Sequence, residues 1–305
     1  MNRKTSLKDH LLLRSTGTDR LQTLQIYKAL CTTFVGRTIY WFAQLESTNK
    51  TALKMTERLA TLPDGTADGT LVLAEAQSQG RGRLGRRWIS PPGVNLYASL
   101  ILRPRIPATE VSVLPCLAAT SVVQAIRAIT RLEAVIKWPN DILIHGRKVA
   151  GILTELGVAK DLVNTQSPPQ SPQLAGGFFN YIIIGIGINV NLDPKALPDE
   201  IRASATSLMA EAGHGLDRNE LMATLCNKLE ERYLRFLSEG SINILEEFRT
   251  LTATLGKRVK VILPGRIIEG WAEGIDRDGA LILRIQGETL EVIRSGDVIH
   301  LRAEV

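Results

Sequence analysis

Metal-binding and disulfide signatures are missing from this chain. Its three cysteines, Cys31, Cys116 and Cys226, lie far apart with no CxxC pair, and its four histidines, His10, His145, His214 and His300, are equally scattered. That spacing argues against a zinc site or a disulfide framework, and it leaves the cysteines as small core residues and His145 and His214 as surface residues. A secretory apolar region is also lacking: the basic start Met-Asn-Arg-Lys is followed only by Leu11 to Leu13 before Arg14 interrupts. The longest uncharged apolar runs, 112–126 and 181–188, are broken by Pro115 or glycines and fall short of a membrane span. The phosphate-loop pattern GxxxxGK[ST] occurs nowhere, and no internal repeat is apparent. These absences favour a cytoplasmic protein without a membrane segment.

What remains is an ordinary globular composition. The 305 residues are 44% hydrophobic and 22% charged, enough for a sizeable core in one to three domains. Lys plus Arg exceed Asp plus Glu by 37 to 31, a net charge of +6 that is too mild to name a nucleic-acid binder.

Residues 1–36 read as a short leader with six Lys/Arg against two Asp, and a helix over 19–30 would place Leu21, Leu24 and Tyr27 on one face. Strands are expected at 37–42, 70–74, 95–102, 149–156 and 181–192, with another ending at Trp138. Helices are expected from Ser47 or Thr48 to Leu59, over 114–129 with one apolar face, and from Asp217, where Glu220 completes a capping-box pattern. Residues 160–177, with three prolines, three glutamines and Gly176-Gly177, read as an inserted loop. Beyond residue 252 short β-like runs are punctuated by Pro264-Gly265, Asp278-Gly279, Gln286-Gly287 and Ser295-Gly296, the texture of a five-stranded antiparallel barrel. The organisation is therefore a leader (1–36), a mixed α/β unit (37–252) and a small β-unit (253–305).

The sharpest feature is Gly80-Arg81-Gly82-Arg83-Leu84-Gly85-Arg86-Arg87-Trp88, with four guanidiniums in seven residues. It satisfies GxGxxG, but Pro91, Pro92 and Gly93 follow where a dinucleotide fold needs a helix, so that reading is rejected. Arginine forks match carboxylate and phosphate oxygens, and glycines let backbone approach a ligand. Alone, the loop reads equally as an anion-ordered lid or as a solvated basic turn that touches nucleic acid. Lys137-Trp138-Pro139-Asn140-Asp141 puts polar groups at a strand exit, and Lys148 follows on a turn. Gly185-Ile186-Gly187-Ile188-Asn189 places glycines in an apolar strand, which implies a ligand or a tightly packed helix close by. Glu46-Ser47-Thr48-Asn49 is a helix cap whose free N–H groups also suit an oxygen-bearing ligand.

Together, and in this order, these segments resemble the biotin protein ligases, with Ala74-Glu75-Ala76-Gln77, Asn95-Leu96-Tyr97-Ala98-Ser99 and Arg147-Lys148-Val149-Ala150-Gly151 completing the match from about residue 37 to the C-terminus. The resemblance implies an α+β protein: a mixed α/β catalytic domain of the biotin/lipoate ligase type followed by a small SH3-like barrel. It implies that biotin and Mg-ATP give biotinoyl-5′-AMP and pyrophosphate, and that a lysine of a biotin carboxyl carrier protein, such as that of acetyl-CoA carboxylase, then takes the biotin. Ser47, Thr48, Asn49, Gln77, Gly80, Arg81, Gly82, Arg83, Lys148, Gly151, Gly185 and Gly187 would hold biotin. Arg81, Arg83, Arg86, Trp88, Asn140, Lys148, Asn189 and Arg302 would meet the nucleotide. Arg83, Lys148 and Asp141 would be catalytic, with Mg2+ carried by ATP near Asn140 and Asp141 rather than held in a protein-only site. With 36 residues before the first strand, the winged helix that some members use on DNA is not expected, so specific DNA binding is not expected either; a homodimer is compatible with the resemblance. Lipoate ligases share the fold logic but carry consecutive glycines in their arginine loop, which this chain does not.

Overall fold

A computed structural model of the protein describes residues 20–59, 68–104, 106–157 and 181–301. Expectations on residues 1–19, the turn at Pro63 to Gly65, the loop 160–177 and Arg302 lie outside the described residues. The order is α1 (Thr23–Ala29), β1 (Ile39–Phe42), α2 (Thr48–Leu59), β2 (Thr70–Ala74), β3 (Leu96–Leu102), α3 (Leu114–Thr130), β4 (Val135–Lys137), β5 (Asp141–Ile144), β6 (Arg147–Gly157) and β7 (Tyr181–Ile188). Then come α4 (Asp199–Arg202), α5 (Leu208–Ala212), α6 (Arg218–Glu239), α7 (Ile242–Leu251) and the strands β8 (Arg258–Leu263), β9 (Arg266–Ile275), β10 (Leu281–Arg284), β11 (Leu290–Ile293) and β12 (Asp297–His300).

Seven strands form one sheet in the order β1-β2-β3-β7-β6-β5-β4. β1 runs parallel to β2, and every other pair is antiparallel. β2 and β3 are mostly apolar and buried along their whole length, as central strands covered on both faces must be. β7 positions the site. Its even residues, Ile182, Ile184, Ile186 and Ile188, enter the main core beside α3. Its odd residues face α2, where Tyr181 and Ile183 pack with Ala52, Val72 and Ile101. Two residues further along the same face stand Gly185 and Gly187, and the lost side chains leave a trough in the sheet.

The helix over 114–129 is more central than an amphipathic pattern implies. Residues around nearly its whole circumference are buried, because it lies between the sheet and helices α6 and α7. A preceding turn of 3-10 helix lengthens it, so Thr109–Thr130 is long and apolar enough to cross a membrane by length and composition; two-thirds of it is buried in the core instead. α6 opens on Asp217, whose side chain accepts from the N–H groups of Asn219 and Glu220, and it buries Met222, Leu225, Cys226, Leu229, Tyr233 and Phe236.

α1 uses a different face from the one its periodicity suggests. Leu24 and Tyr27 are exposed, while Leu21, Ile26, Leu30 and Val35 enter the main core, because the segment docks against α6. Cys31 is likewise exposed rather than a core residue, whereas Cys116 and Cys226 are buried.

The last five strands form an antiparallel sheet, order β11-β10-β9-β8-β12, an SH3-like unit whose connections carry the four glycine turns. Asp278-Gly279 shows why glycine is required there: φ is +81°, a left-handed conformation. Trp138 seats this unit against the large sheet. Its indole donates to the Gly279 carbonyl at 3.0 Å, and its backbone N–H donates to Thr254 Oγ1 at 3.0 Å. The connection from β4 to β5 therefore lies at the junction of the two sheets.

Candidate active site

A cleft of about 760 Å³ crosses the trough, from the N-terminus of α2 over β7 and β6 to β12 of the small sheet. Its lining includes Ser47, Thr48, Asn49, Gln77, Arg81, Gly82, Arg83, Arg86, Trp88, Asn140, Asp141, Lys148, Gly151, Gly185, Gly187 and Asn189. Of the expected site residues, Gly80 lies beneath the lining: a Cβ there would stand 2.4 Å from the Trp88 carbonyl oxygen, so its role is to let the loop fold back on itself.

At the α2 end, Gln77 Oε1 accepts from Thr48 N at 2.8 Å while Gln77 Nε2 donates to Ser90 Oγ at 3.0 Å. Asn49 Nδ2 donates to the Leu153 carbonyl and to Glu155 Oε2, and Asn49 Oδ1 accepts from Ser99 Oγ at 2.5 Å. Ser47, Thr48 and Asn49 are buried, so this polar wall is fixed by the body of the protein rather than by water.

The trough is not empty above its glycines. A Cβ on Gly185 would stand 2.1 Å from Asn49 Oδ1, and one on Gly187 would stand 2.6 Å from the Trp88 indole. The glycines admit these two side chains, which in turn line the cleft. The Trp88 Nε1–H is buried and has no hydrogen-bond partner among the described residues, leaving a donor open inside the site.

The arginine–glycine loop turns tightly, with Leu84 at φ +55° and Gly85 at +73°. Its four guanidiniums diverge onto four anchors, which relieves their mutual repulsion. Arg81 pairs with Glu155 at 2.9 Å, and Arg83 Nη1 donates to Asn140 Oδ1 at 3.1 Å. Arg86 pairs with Asp297 of β12, and Arg87 donates to the Ser78 carbonyl at 3.2 Å. The loop thus bridges β6, the turn after Trp138 and the small sheet. Burial pulls the Arg83 guanidinium below its ordinary range, opposed by the charges of Asp141 and Asp297.

Across the cleft, Lys148 Nζ lies 2.5 Å from Asp141 Oδ1 and 5.4 Å from the Trp88 ring centroid. Asn140 is locked by a bond from its Nδ2 to the Ile152 carbonyl, and buried Asn189 by one to the Thr206 carbonyl. Arg81, Arg83, Arg86, Arg87, Lys137, Lys148 and Lys257 line the cleft against only Asp141 and Asp297, a balance that suits an anionic ligand. Among the described residues no cluster of three or more His, Cys, Asp or Glu could hold a metal ion.

Several lining residues escaped sequence reasoning. Lys137 faces Asp141 across the β4–β5 ladder; burial lowers its pKa, opposed by Asp141 and Asp297. Lys257, Asp297 and His300 arrive from the small sheet with no local motif to mark them. Thr254 Oγ1 accepts from Trp138 N and shares a second hydrogen bond with His300 Nε2 at 3.1 Å.

Residues 41–164 match the biotin/lipoate A/B protein ligase family, and residues 254–301 match the biotin protein ligase C terminal domain. The chain is 35% identical over 291 residues to the bifunctional ligase/repressor BirA of Bacillus subtilis (strain 168), covering 95% of this chain and 82% of that protein. It is 30% identical over 293 residues to the biotin–[acetyl-CoA-carboxylase] ligase of Mycobacterium tuberculosis (strain ATCC 25618 / H37Rv), covering 94% and 100%. Among solved structures, the biotin protein ligase from Aquifex aeolicus in complex with biotin and ATP is similar at a TM-score of 0.69 and 29% identity, covering 88% of this chain and all of that one.

Proposed function

This chain belongs to the biotin protein ligases, and from that premise we propose which of its residues carry each part of the reaction. The enzyme uses ATP to convert biotin into biotinoyl-5′-AMP with release of pyrophosphate, then transfers biotin to a lysine of the biotin carboxyl carrier protein of acetyl-CoA carboxylase. The first step brings a carboxylate against an α-phosphate that is also anionic. Cations must therefore stand where the two charges meet, and they must be fixed before the substrates arrive.

The observation that carries the assignment is the convergence of Arg83 and Lys148 on two consecutive residues, Arg83 on Asn140 and Lys148 on Asp141, within one cleft. Arg81, Arg83 and Lys148 neutralise the biotin carboxylate and the α-phosphate as a biotin oxygen attacks phosphorus and pyrophosphate leaves. Ser47, Thr48, Asn49 and Gln77 hold the ureido ring, and Trp88, seated over Gly187, anchors the arginine–glycine loop as a lid. Arg86, Trp88, Asn140 and Asn189 belong to the nucleotide side. In the second step the carrier's lysine amine attacks the acyl carbon and AMP departs; Asp141 orients or deprotonates that amine.

Mg2+ would enter with ATP, and Asp141 and Asn140 are the residues that would help hold it, because Mg2+ sites commonly combine one or two carboxylates with substrate phosphates. Residues 37–252 form the catalytic unit in this reading, and 253–305 close the cleft from the side. The unpaired thiols of Cys31, Cys116 and Cys226 support a reducing, cytoplasmic setting.

The test is ATP–pyrophosphate exchange with biotin or lipoate, followed by transfer to a purified carrier domain. Biotin-dependent exchange and a biotinoyl-AMP mass are expected; exchange with lipoate alone would overturn the substrate assignment.

A further inference from the structure

Glu211 lies outside the cleft lining, and nothing in the reaction so far uses it. Its side chain is 5% exposed, yet it is ionised and heavily engaged. One oxygen accepts from Thr206 Oγ1 at 2.5 Å and from Arg147 Nη2 at 2.6 Å; the other pairs with His145 Nδ1 at 2.7 Å. Burial opposes the charge, but the bonds from Thr206 and His145 and the charge of Arg147 outweigh it, so its pKa sits below the ordinary range.

Its two principal partners flank Lys148. Arg147 precedes that lysine on β6. Thr206 lies on a short segment that lengthens the sheet beyond the end of β7: Lys148 bridges Ala205, Lys148 N donates to the Ser204 carbonyl at 2.8 Å, and Thr206 N donates to the Lys148 carbonyl at 2.8 Å. The Thr206 carbonyl also accepts from Asn189 Nδ2 at 3.0 Å. One buried carboxylate therefore ties together both sides of the backbone that presents Lys148, and through the same segment it holds the Asn189 amide.

We propose that Glu211 is a positioning residue for the nucleotide half of the cleft, fixing Lys148 and Asn189 through Thr206 and Arg147. The proposal rests on the reading that Lys148 and Asn189 meet the nucleotide. Lys148 meets the biotin carboxylate as well as the α-phosphate, whereas Asn189 belongs to the nucleotide side alone, and the ureido wall is built separately on α2 and Gln77. The loss should therefore touch both substrates and fall more heavily on ATP.

Biotin-dependent ATP–pyrophosphate exchange separates the possibilities when KM is measured for ATP and for biotin in turn. Glu211→Ala should raise KM for ATP about tenfold or more, the loss expected of a charge-assisted hydrogen bond, with a clearly smaller rise in KM for biotin, which loses only the placement of Lys148. Glu211→Gln, which keeps acceptors for Thr206 and Arg147, should recover part of the loss, and Thr206→Val should shift KM for ATP in the same direction by less. Should Glu211→Ala fail to fold, the other two variants decide. An unchanged KM for ATP in both, or equal rises for ATP and biotin, overturns the proposal. A wild-type enzyme without biotin-dependent exchange would instead sink the functional reading beneath it.

Discussion

Replacing Lys148 by alanine should nearly abolish adenylate formation. The ammonium lies 2.5 Å from Asp141 Oδ1, with its side chain one-third exposed. A unit charge about 4 Å from a phosphate oxygen, at an effective dielectric near 20, contributes about 4 kcal/mol. Partial exposure trims that to about 3 kcal/mol, a factor of about 10² in rate. The variant also leaves Asp141 unpaired, so a carboxylate would face the incoming phosphates. The expected fall in biotin-dependent ATP–pyrophosphate exchange is therefore about 10²- to 10³-fold, the range typical of losing one preorganised donor. Lys148→Arg should not restore the rate. The lysine end lies against Gly151, where a Cβ would stand 3.2 Å from both Lys148 Cε and the Trp88 ring, and the longer, planar arginine would carry its charge away from the point where the ammonium sits. Exchange within threefold of wild type for the alanine variant, or full recovery with arginine, would refute the reasoning.

Three other outcomes are expected. Arg83→Gly removes the contact between the loop and Asn140 and should release biotinoyl-AMP, seen as biotin appearing on bystander lysines of an added protein; unchanged carrier selectivity would count against the lid role. Gly185→Ala places a methyl 2.1 Å from Asn49 Oδ1, so KM for biotin should rise at least about tenfold as the polar wall shifts, at a stability cost of about 1–3 kcal/mol; equal biotin titrations for variant and wild type would disprove this. The third concerns pH. Burial, reinforced by Lys257 and Lys137, lowers the His300 pKa from 6.5 to about 4. Between those values the unfolded chain binds the proton and the folded protein does not, so stability is full above pH 6.5 and is lost as pH falls toward 4. Discounted for the ring's partial exposure, the effect is about 1–2 kcal/mol across that window. Thermal unfolding of His300→Gln should show a shallower acid decline than wild type, and parallel curves would rule the imidazole out.

Legibility varied with the range of the interaction. β2 appears over 70–74 as its apolar run indicates, and Asp217 caps α6 as its side chain dictates, because both depend on neighbours a few residues away. The face of α1 is not legible for the opposite reason: Leu24 is as apolar as Leu21, and only the position of α6 decides which of them is buried. The glycines of β7 announced a close approach, but nothing local could say that Asn49 and Trp88 make it.

The residues of the adenylation chemistry stand in compact strings of sequence, because a tight loop of arginines and glycines or a polar turn at a strand exit is itself a local structure. What aims those strings at one another is not local. Asp297 for Arg86 and Glu211 beneath Lys148 come from distant segments whose own neighbours give no hint of the task, and Glu155 reaches Arg81 only across the sheet. A charge finds its partner only once strands and helices have packed, so the chemistry was written along the chain while its geometry was settled by the fold.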